Sequence, residues 1–148
     1  MSDDRPKTFT TQIEWNGDKT GRLTLENGID LTVSPPAPPR SGGVEGTNCP
    51  QELFVASATA CLMTTFLYMV GKTHAEATSF SCRAEGTVEM VEDRGPVFTR
   101  IDLYPKATAP DEKNAKRLTR ALDLAKKNCT VTNSMSCETV MHPEVTVG

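Results

Sequence analysis

Residues 50–72 constrain the fold of this chain more than any other stretch. Asn48 reads as an N-cap, and Pro50 stands where a missing N–H does no harm in a first helical turn. Gln51 and Glu52 follow, placing a carboxylate where the helix dipole favours one. The helix should then run to about Lys72. Leu53, Phe54, Ala56, Ala60, Cys61, Met63, Thr64, Leu67 and Tyr68 leave little of its circumference polar. A helix apolar nearly all round is buried on most sides. In a chain of 148 residues that burial requires a wrapping sheet or a second subunit. The small residues Ala56, Ser57, Ala58, Thr59 and Ala60 allow close backbone approach around Cys61.

Around this helix the chain alternates strands with turn signals. Residues 8–16 place Phe9, Thr11, Ile13 and Trp15 on one side of a strand. Asn16-Gly17-Asp18 is a turn, and 21–25 with 28–33 would continue a small antiparallel sheet. Residues 34–43 carry four prolines and two glycines and form a stiff loop, either a linker or an arm. Residues 77–90 and 97–107 read as two long strands, with Phe80, Cys82, Ala84, Gly86, Val88 and Met90 at period two and Cys82 facing a core. Residues 108–111 would start a helix with the apolar set Ala115, Leu118, Leu122 and Ala125, ending near Lys127-Asn128. After Cys129 a short turn or helix precedes a final strand around 138–147. The order β-β-β-α-β-β-α-β gives an α+β class with antiparallel sheets, in a single domain over 1–148.

Sixteen Lys and Arg against nineteen Asp and Glu give a formal charge of −3, unlike the basic footprint of a nucleic-acid binder. The cations of the second helix, Lys113, Lys116, Arg117, Arg120, Lys126 and Lys127, stand beside Asp111, Glu112 and Asp123 and read as a solvated face. No unbroken run of 18 apolar residues exists, so no membrane span is expected. Residues 1–7 lack the apolar segment of a secretory signal, and a cytoplasmic location is the default expectation. Five cysteines, an odd number without a CxxC pair, argue against a disulfide framework. With only His74 and His142 beside them, a structural zinc site is not expected.

Two of the thiols invite a chemical reading. Cys61 sits mid-helix among small and apolar side chains, and Cys129 follows the second helix in a polar segment suited to a loop thiol. A cysteine attacks electrophiles as the thiolate, and its reactivity depends on a lowered pKa and on access. If the electrophile is a peroxide, the sulfur becomes a sulfenic acid, which a second thiol converts to a disulfide. Arg40, in the Pro/Gly-rich loop, is the nearest cation in sequence, and Gln51 is a candidate partner for it. Gln51 lies about 15 Å from Cys61 along a helix rising ~1.5 Å per residue. The alternative is that both cysteines are small core hydrophobes.

The chain resembles the OsmC/Ohr family of osmotically induced and organic hydroperoxide resistance proteins. The likeness rests on Trp15-Asn16-Gly17-Asp18 with Gly21, on residues 46–54 with Ala60-Cys61, and on residues 129–134, taken in order and spacing. It implies an OsmC-like fold, with antiparallel sheets wrapped around a long central helix in an intertwined homodimer. It also implies two-cysteine reduction of organic hydroperoxides, and in some members of hydrogen peroxide, without cofactor or metal. By position Cys61 matches the peroxidatic cysteine, Cys129 the resolving one, and Arg40 the arginine that activates the thiolate. In Ohr-type members that arginine comes from the early hairpin, where this chain offers Lys19 or Arg22. Family reductants include dihydrolipoyl groups on partner proteins.

The chain departs from the family where Asn-Pro-Glu becomes Asn48-Cys49-Pro50-Gln51. An amide accepts a hydrogen bond from a guanidinium but forms no ion pair, and Glu52 lies about 100° further round the helix. The residues after Cys129 resemble the OsmC-like branch. Two readings follow: a thiol-dependent hydroperoxide reductase, or a weakly active or non-enzymatic, stress-associated dimer that binds a small molecule. Cys49 and Cys137 stand as secondary candidates for redox roles, and His74 and His142 as surface or hydrogen-bonding residues.

Overall fold

A computed structural model describes residues 4–36 and 42–148. The elements run β1 (Thr11–Gly17), β2 (Thr20–Leu25), β3 (Asp30–Val33), α1 (Pro50–Lys72), β4 (Ser79–Val91), β5 (Gly95–Ala109), α2 (Glu112–Asn128), α3 (Thr130–Ser134), β6 (Glu138–Met141) and β7 (Glu144–Val147). The chain groups into two compact units, one ending at Leu53 and the other spanning Phe54–Gly148.

In the first unit β1, β2 and β3 pair in order as the expected antiparallel sheet. The turn signal works through backbone geometry: Gly17 (φ 96°) and Asp18 (φ 52°) are both left-handed, which Gly and Asp tolerate best. The resulting register sets Ile13 opposite Leu23 and Trp15 opposite Gly21. A bridge joins Val33 to Asn48 just before α1. Here the expected cap is corrected. Asn48 donates both its N–H (3.0 Å) and its Nδ2 (3.2 Å) to the Thr32 carbonyl, so its side chain is spent on the sheet. The first N–H of α1, from Leu53, goes to the Cys49 carbonyl at 3.2 Å, which makes Cys49 the capping residue. Pro50 occupies the first helical position as expected.

The second unit is built on a stripe with helical spacing. Ala58, Leu62 and Phe66 of α1 are each 0% exposed. They share one core with Ile101, Leu103, Ala107 and Ala109 of β5 and Leu118, Ala121, Leu122 and Ala125 of α2. Phe66 stacks on Phe80 of β4 at 4.7 Å between ring centroids. Along β5 the odd-numbered residues 101–109 point inward, the period-two pattern of a sheet with one covered face. Asp111 caps α2 by accepting from the Asn114 N–H at 2.7 Å, and β5 extends to Ala109 where a helix start was expected.

Two further expectations need correction. The sheets are not antiparallel throughout: β4 and β5 are, but β6 and β7 run parallel to β5. The helices α2 and α3 form the crossover that a parallel pair requires. The final strand is also split in two, although the same register continues from Leu103↔Met141 to Lys106↔Glu144. Pro105 and Pro143 fall in the gap, and neither has an N–H to give to the ladder. His142 bridges the break. Its N–H donates to the Leu103 carbonyl at 2.7 Å, and its ring lies 2.8 Å from Asp102 Oδ1 and stacks on Tyr104. Hydrogen bonds from Arg100 and then His142 hold the Asp102 carboxyl down at about 2.

Burial of α1 is narrower than its composition suggests. Met63, Leu67 and Tyr68 stay 40–53% exposed, because within one chain only the face toward β5 and α2 finds cover. By length and composition alone α1 is also apolar enough to cross a bilayer, despite the lack of an unbroken apolar run. Its buried stripe lies in the protein core instead.

Removing Phe66 should therefore remove a main support of this unit. We expect Phe66→Ala to lower unfolding free energy by ~3–5 kcal/mol in urea titrations, and Leu67→Ala to have a clearly smaller effect. Equal losses would show that the stripe is not the core.

Candidate functional site

Cys61 precedes Leu62 of the buried stripe, so it stands at the edge of the covered face of α1 and is half-buried. One turn further on, Thr65 Oγ1 lies 3.9 Å from its sulfur. Cys129 ends α2 in an extended conformation (φ −71°, ψ 108°), and this single residue redirects the chain into α3. Its side chain is 0% exposed. Cys129 does stand between α2 and a short helix, as expected of a thiol at a loop or short helix. It is nonetheless locked in the core, because the polar neighbours serve the backbone. Asn128 Nδ2 donates to Leu124 O (2.8 Å) and Asn133 Nδ2 to Lys127 O (3.0 Å), satisfying carbonyls that a helix end leaves open. Thr132 Oγ1 donates to the Cys129 carbonyl at 3.4 Å.

This turn brings the two sulfurs into near contact. Both are free thiols. Burial opposes ionisation of Cys61. The Val131 N–H, the Cys129 thiol, the Thr65 hydroxyl and the Thr130 N–H outweigh that opposition and hold Cys61 below its ordinary value. Cys129 moves the other way. Burial pushes it up, the hydroxyl and N–H of Thr132 offset that only in part, and the adjacent Cys61 adds to it. Of the two thiols, Cys61 is therefore the one that gives up its proton more readily, and Cys129 the one that keeps it. Chemically, the arrangement sets the thiol that ionises more readily beside a second, enclosed thiol.

The other sequence candidates lie elsewhere. Arg40 falls outside the described residues. Gln51 is exposed in the first turn of α1 and belongs to the unit ending at Leu53, whereas Cys61 and Cys129 belong to the second. There Gln51 lines an open groove of about 1000 Å³ with Ile13, Trp15, Lys19, Val33 and Pro35. Lys19 Nζ donates to the Gly42 carbonyl at 2.9 Å, and Arg22 pairs with Glu14 at 3.1 Å. Cys49 is buried, Cys82 and Cys137 pack against the core, and burial pushes the Cys82 thiol up. His74 is exposed, and its carbonyl accepts from Arg117 at 2.8 Å. Among the described residues no three His, Cys, Asp or Glu side chains group as metal ligands.

The reading of the sequence missed Thr65, Thr132 and the amides of Thr130 and Val131. The spacing of Thr65, four residues after Cys61, was a usable signal. The amides carry no side-chain signature and emerge only when α3 folds against α1.

A family model described as OsmC-like protein matches residues 42–144. No curated protein sequence matched. Among solved structures, an OsmC-like protein of unknown function from Vibrio cholerae is 20% identical, with a TM-score of 0.82 over 93% of this chain and 99% of that one. An organic hydroperoxide resistance protein from Elizabethkingia anophelis is 18% identical, with a TM-score of 0.73 over 98% of each chain. The organic hydroperoxide resistance protein OhrB of Bacillus subtilis is 18% identical, with a TM-score of 0.66 over 94% of this chain and 98% of that one.

The opposed shifts of the two thiols can be read directly. Under native conditions iodoacetamide should alkylate Cys61 with a pH midpoint below that of an ordinary thiol. Cys129 should react only at higher pH or after unfolding. Peptide mass analysis across a pH series checks both.

Proposed function

Because the chain belongs to the OsmC-like protein family, we propose that it reduces organic hydroperoxides, with Cys61 attacking and Cys129 resolving. The observation that carries this reading is the nearness of Cys61 and Cys129, with Cys61 shifted toward ionisation and Cys129 away from it. The Cys61 thiolate attacks a peroxide oxygen and the O–O bond breaks. The alkoxide takes up a proton and leaves as the alcohol, and Cys61 is oxidised to the sulfenic acid. The Cys129 sulfur then displaces hydroxide from that sulfenic acid. Its proton leaves with the hydroxide as water, and the disulfide forms. A dithiol reductant returns two electrons and two protons to restore both thiols, and a dihydrolipoyl group on a partner protein has the right chemistry.

Further features support the setting. Apolar side chains exposed on α1 (Met63, Leu67 and Tyr68) and on β1 (Ile13 and Trp15) support a homodimer that covers them. Free thiols suit the reducing cytoplasm. In this proposal Arg40 is the cation that favours the thiolate, and Gln51, an uncharged amide, is its candidate partner. No nucleic acid or membrane enters the scheme.

A second reading is favoured by Gln51 and by the groove it lines: a weakly active or non-enzymatic dimer that binds a small molecule. Cumene hydroperoxide separates the two. The first reading expects loss of both free thiols with formation of one Cys61–Cys129 disulfide, measured by thiol counting and mass. It expects no turnover in Cys61→Ser, and in Cys129→Ser a Cys61 sulfenic acid trapped by dimedone. Unchanged thiol counts would overturn it. Gln51→Glu should raise the peroxide rate by no more than about fivefold, the worth of one exposed ion pair. No activity in either form would favour the binding reading.

A further inference from the structure

Four aliphatic hydroxyls lie along α1, and three of them behave alike. Ser57 donates to Phe54 O (2.6 Å), Thr59 to Ala56 O (2.9 Å) and Thr64 to Cys61 O (3.1 Å), each turned back on its own helix. Thr73, just past the helix end, does the same toward Met69 O. This is the ordinary resting place of a helical hydroxyl. Thr65 departs from it, with its Oγ1 paired to Cys61 Sγ at 3.9 Å. The acceptor one turn back, the Cys61 carbonyl, already receives Thr64. The half-buried hydroxyl of Thr65 is thereby turned toward the sulfur.

We propose that Thr65 is a positioning residue of the thiol pair: its hydroxyl donates to the Cys61 sulfur and, with the neighbouring amides, favours charge there over Cys129. Helical spacing fixes the two residues on one face, so this donor stands beside the sulfur without help from any other segment. The amides of Thr130 and Val131 only donate. A hydroxyl can also accept, so Thr65 stays paired whether Cys61 is a thiol or a thiolate. It is also the one donor at Cys61, apart from Cys129, that a side-chain substitution removes. The direction of the Cys61 shift agrees with this role. The proposal deepens the peroxidase reading by assigning what selects its attacking sulfur.

The test reads ionisation without peroxide. In the reduced full-length protein, the pH profile of Cys61 alkylation by iodoacetamide is compared for native, Thr65→Val, Thr65→Ala and Thr65→Ser. Circular dichroism melting checks each fold. Thr65→Val keeps the side-chain shape and Thr65→Ser keeps the hydroxyl. The valine and alanine variants should alkylate about tenfold more slowly at neutral pH, the worth of one hydrogen bond to a charged sulfur. Their profiles should move to higher pH, and Thr65→Ser should stay near native. If valine disturbs the fold, alanine alone decides. Unchanged profiles in the folded hydroxyl-free variants overturn the proposal, as does a serine variant shifted as far as valine. A native protein that shows this pattern yet leaves hydroperoxides intact would refute the peroxidase reading alone.

Discussion

The packing of Ala58, Leu62 and Phe66 against β5 and α2 is the constraint on which the thiol site depends. This stripe fixes the rotation of α1 about its axis. A helix rotated by one residue, about 100°, would carry Cys61 away from its present surroundings. Because α2 lies in the same core through Leu118, Leu122 and Ala125, its last turn is held too, and Cys129 with it. Two sulfurs far apart in the chain thus meet through hydrophobic packing, with no metal or disulfide framework needed. Phe66 stacked on Phe80 extends the same support to β4.

On that scaffold, small differences in hydrogen bonding split two chemically identical groups. Burial acts against ionisation of both thiols. Cys61 faces the side where α3 begins and where one turn of α1 offers a hydroxyl, so it collects donors. Cys129 is fully enclosed, and the Thr132 hydroxyl that donates to its carbonyl offsets only part of its burial. Once Cys61 bears the charge, its field raises Cys129 further, and the asymmetry reinforces itself. The turn at Cys129 and the hydroxyl of α1 together rank the two thiols.

Much of the fold was legible because its signals are local. Pro50 and the apolar pattern after it marked α1, Asn16-Gly17-Asp18 marked the first hairpin, and Phe80-Cys82-Ala84 marked the inner face of β4. What escaped were outcomes of competition between distant groups. Asn48 has the chemistry of a cap, but the Thr32 carbonyl claims it. Residues 138–147 have the pattern of one strand, but Pro143 falls opposite Pro105. The polar cluster around Cys129 suggested an exposed thiol, whereas Asn128 and Asn133 turn their amides to backbone carbonyls and leave the sulfur enclosed. At the site, the thiol pair was visible through resemblance, and the donors that rank the thiols were not.

Those donors bear on the departure at Gln51. In the family pattern an arginine held by a carboxylate supplies the charge that favours a thiolate. An amide in that place accepts a hydrogen bond but forms no ion pair, a difference of a fraction of a kcal/mol to about 1 kcal/mol for an exposed pair. The hydrogen bonds already at Cys61 come from amides that folding fixes in place and from a hydroxyl on the same helix, none of which depends on that ion pair. A neutral residue at position 51 therefore leaves untouched the donors that set the two thiols apart.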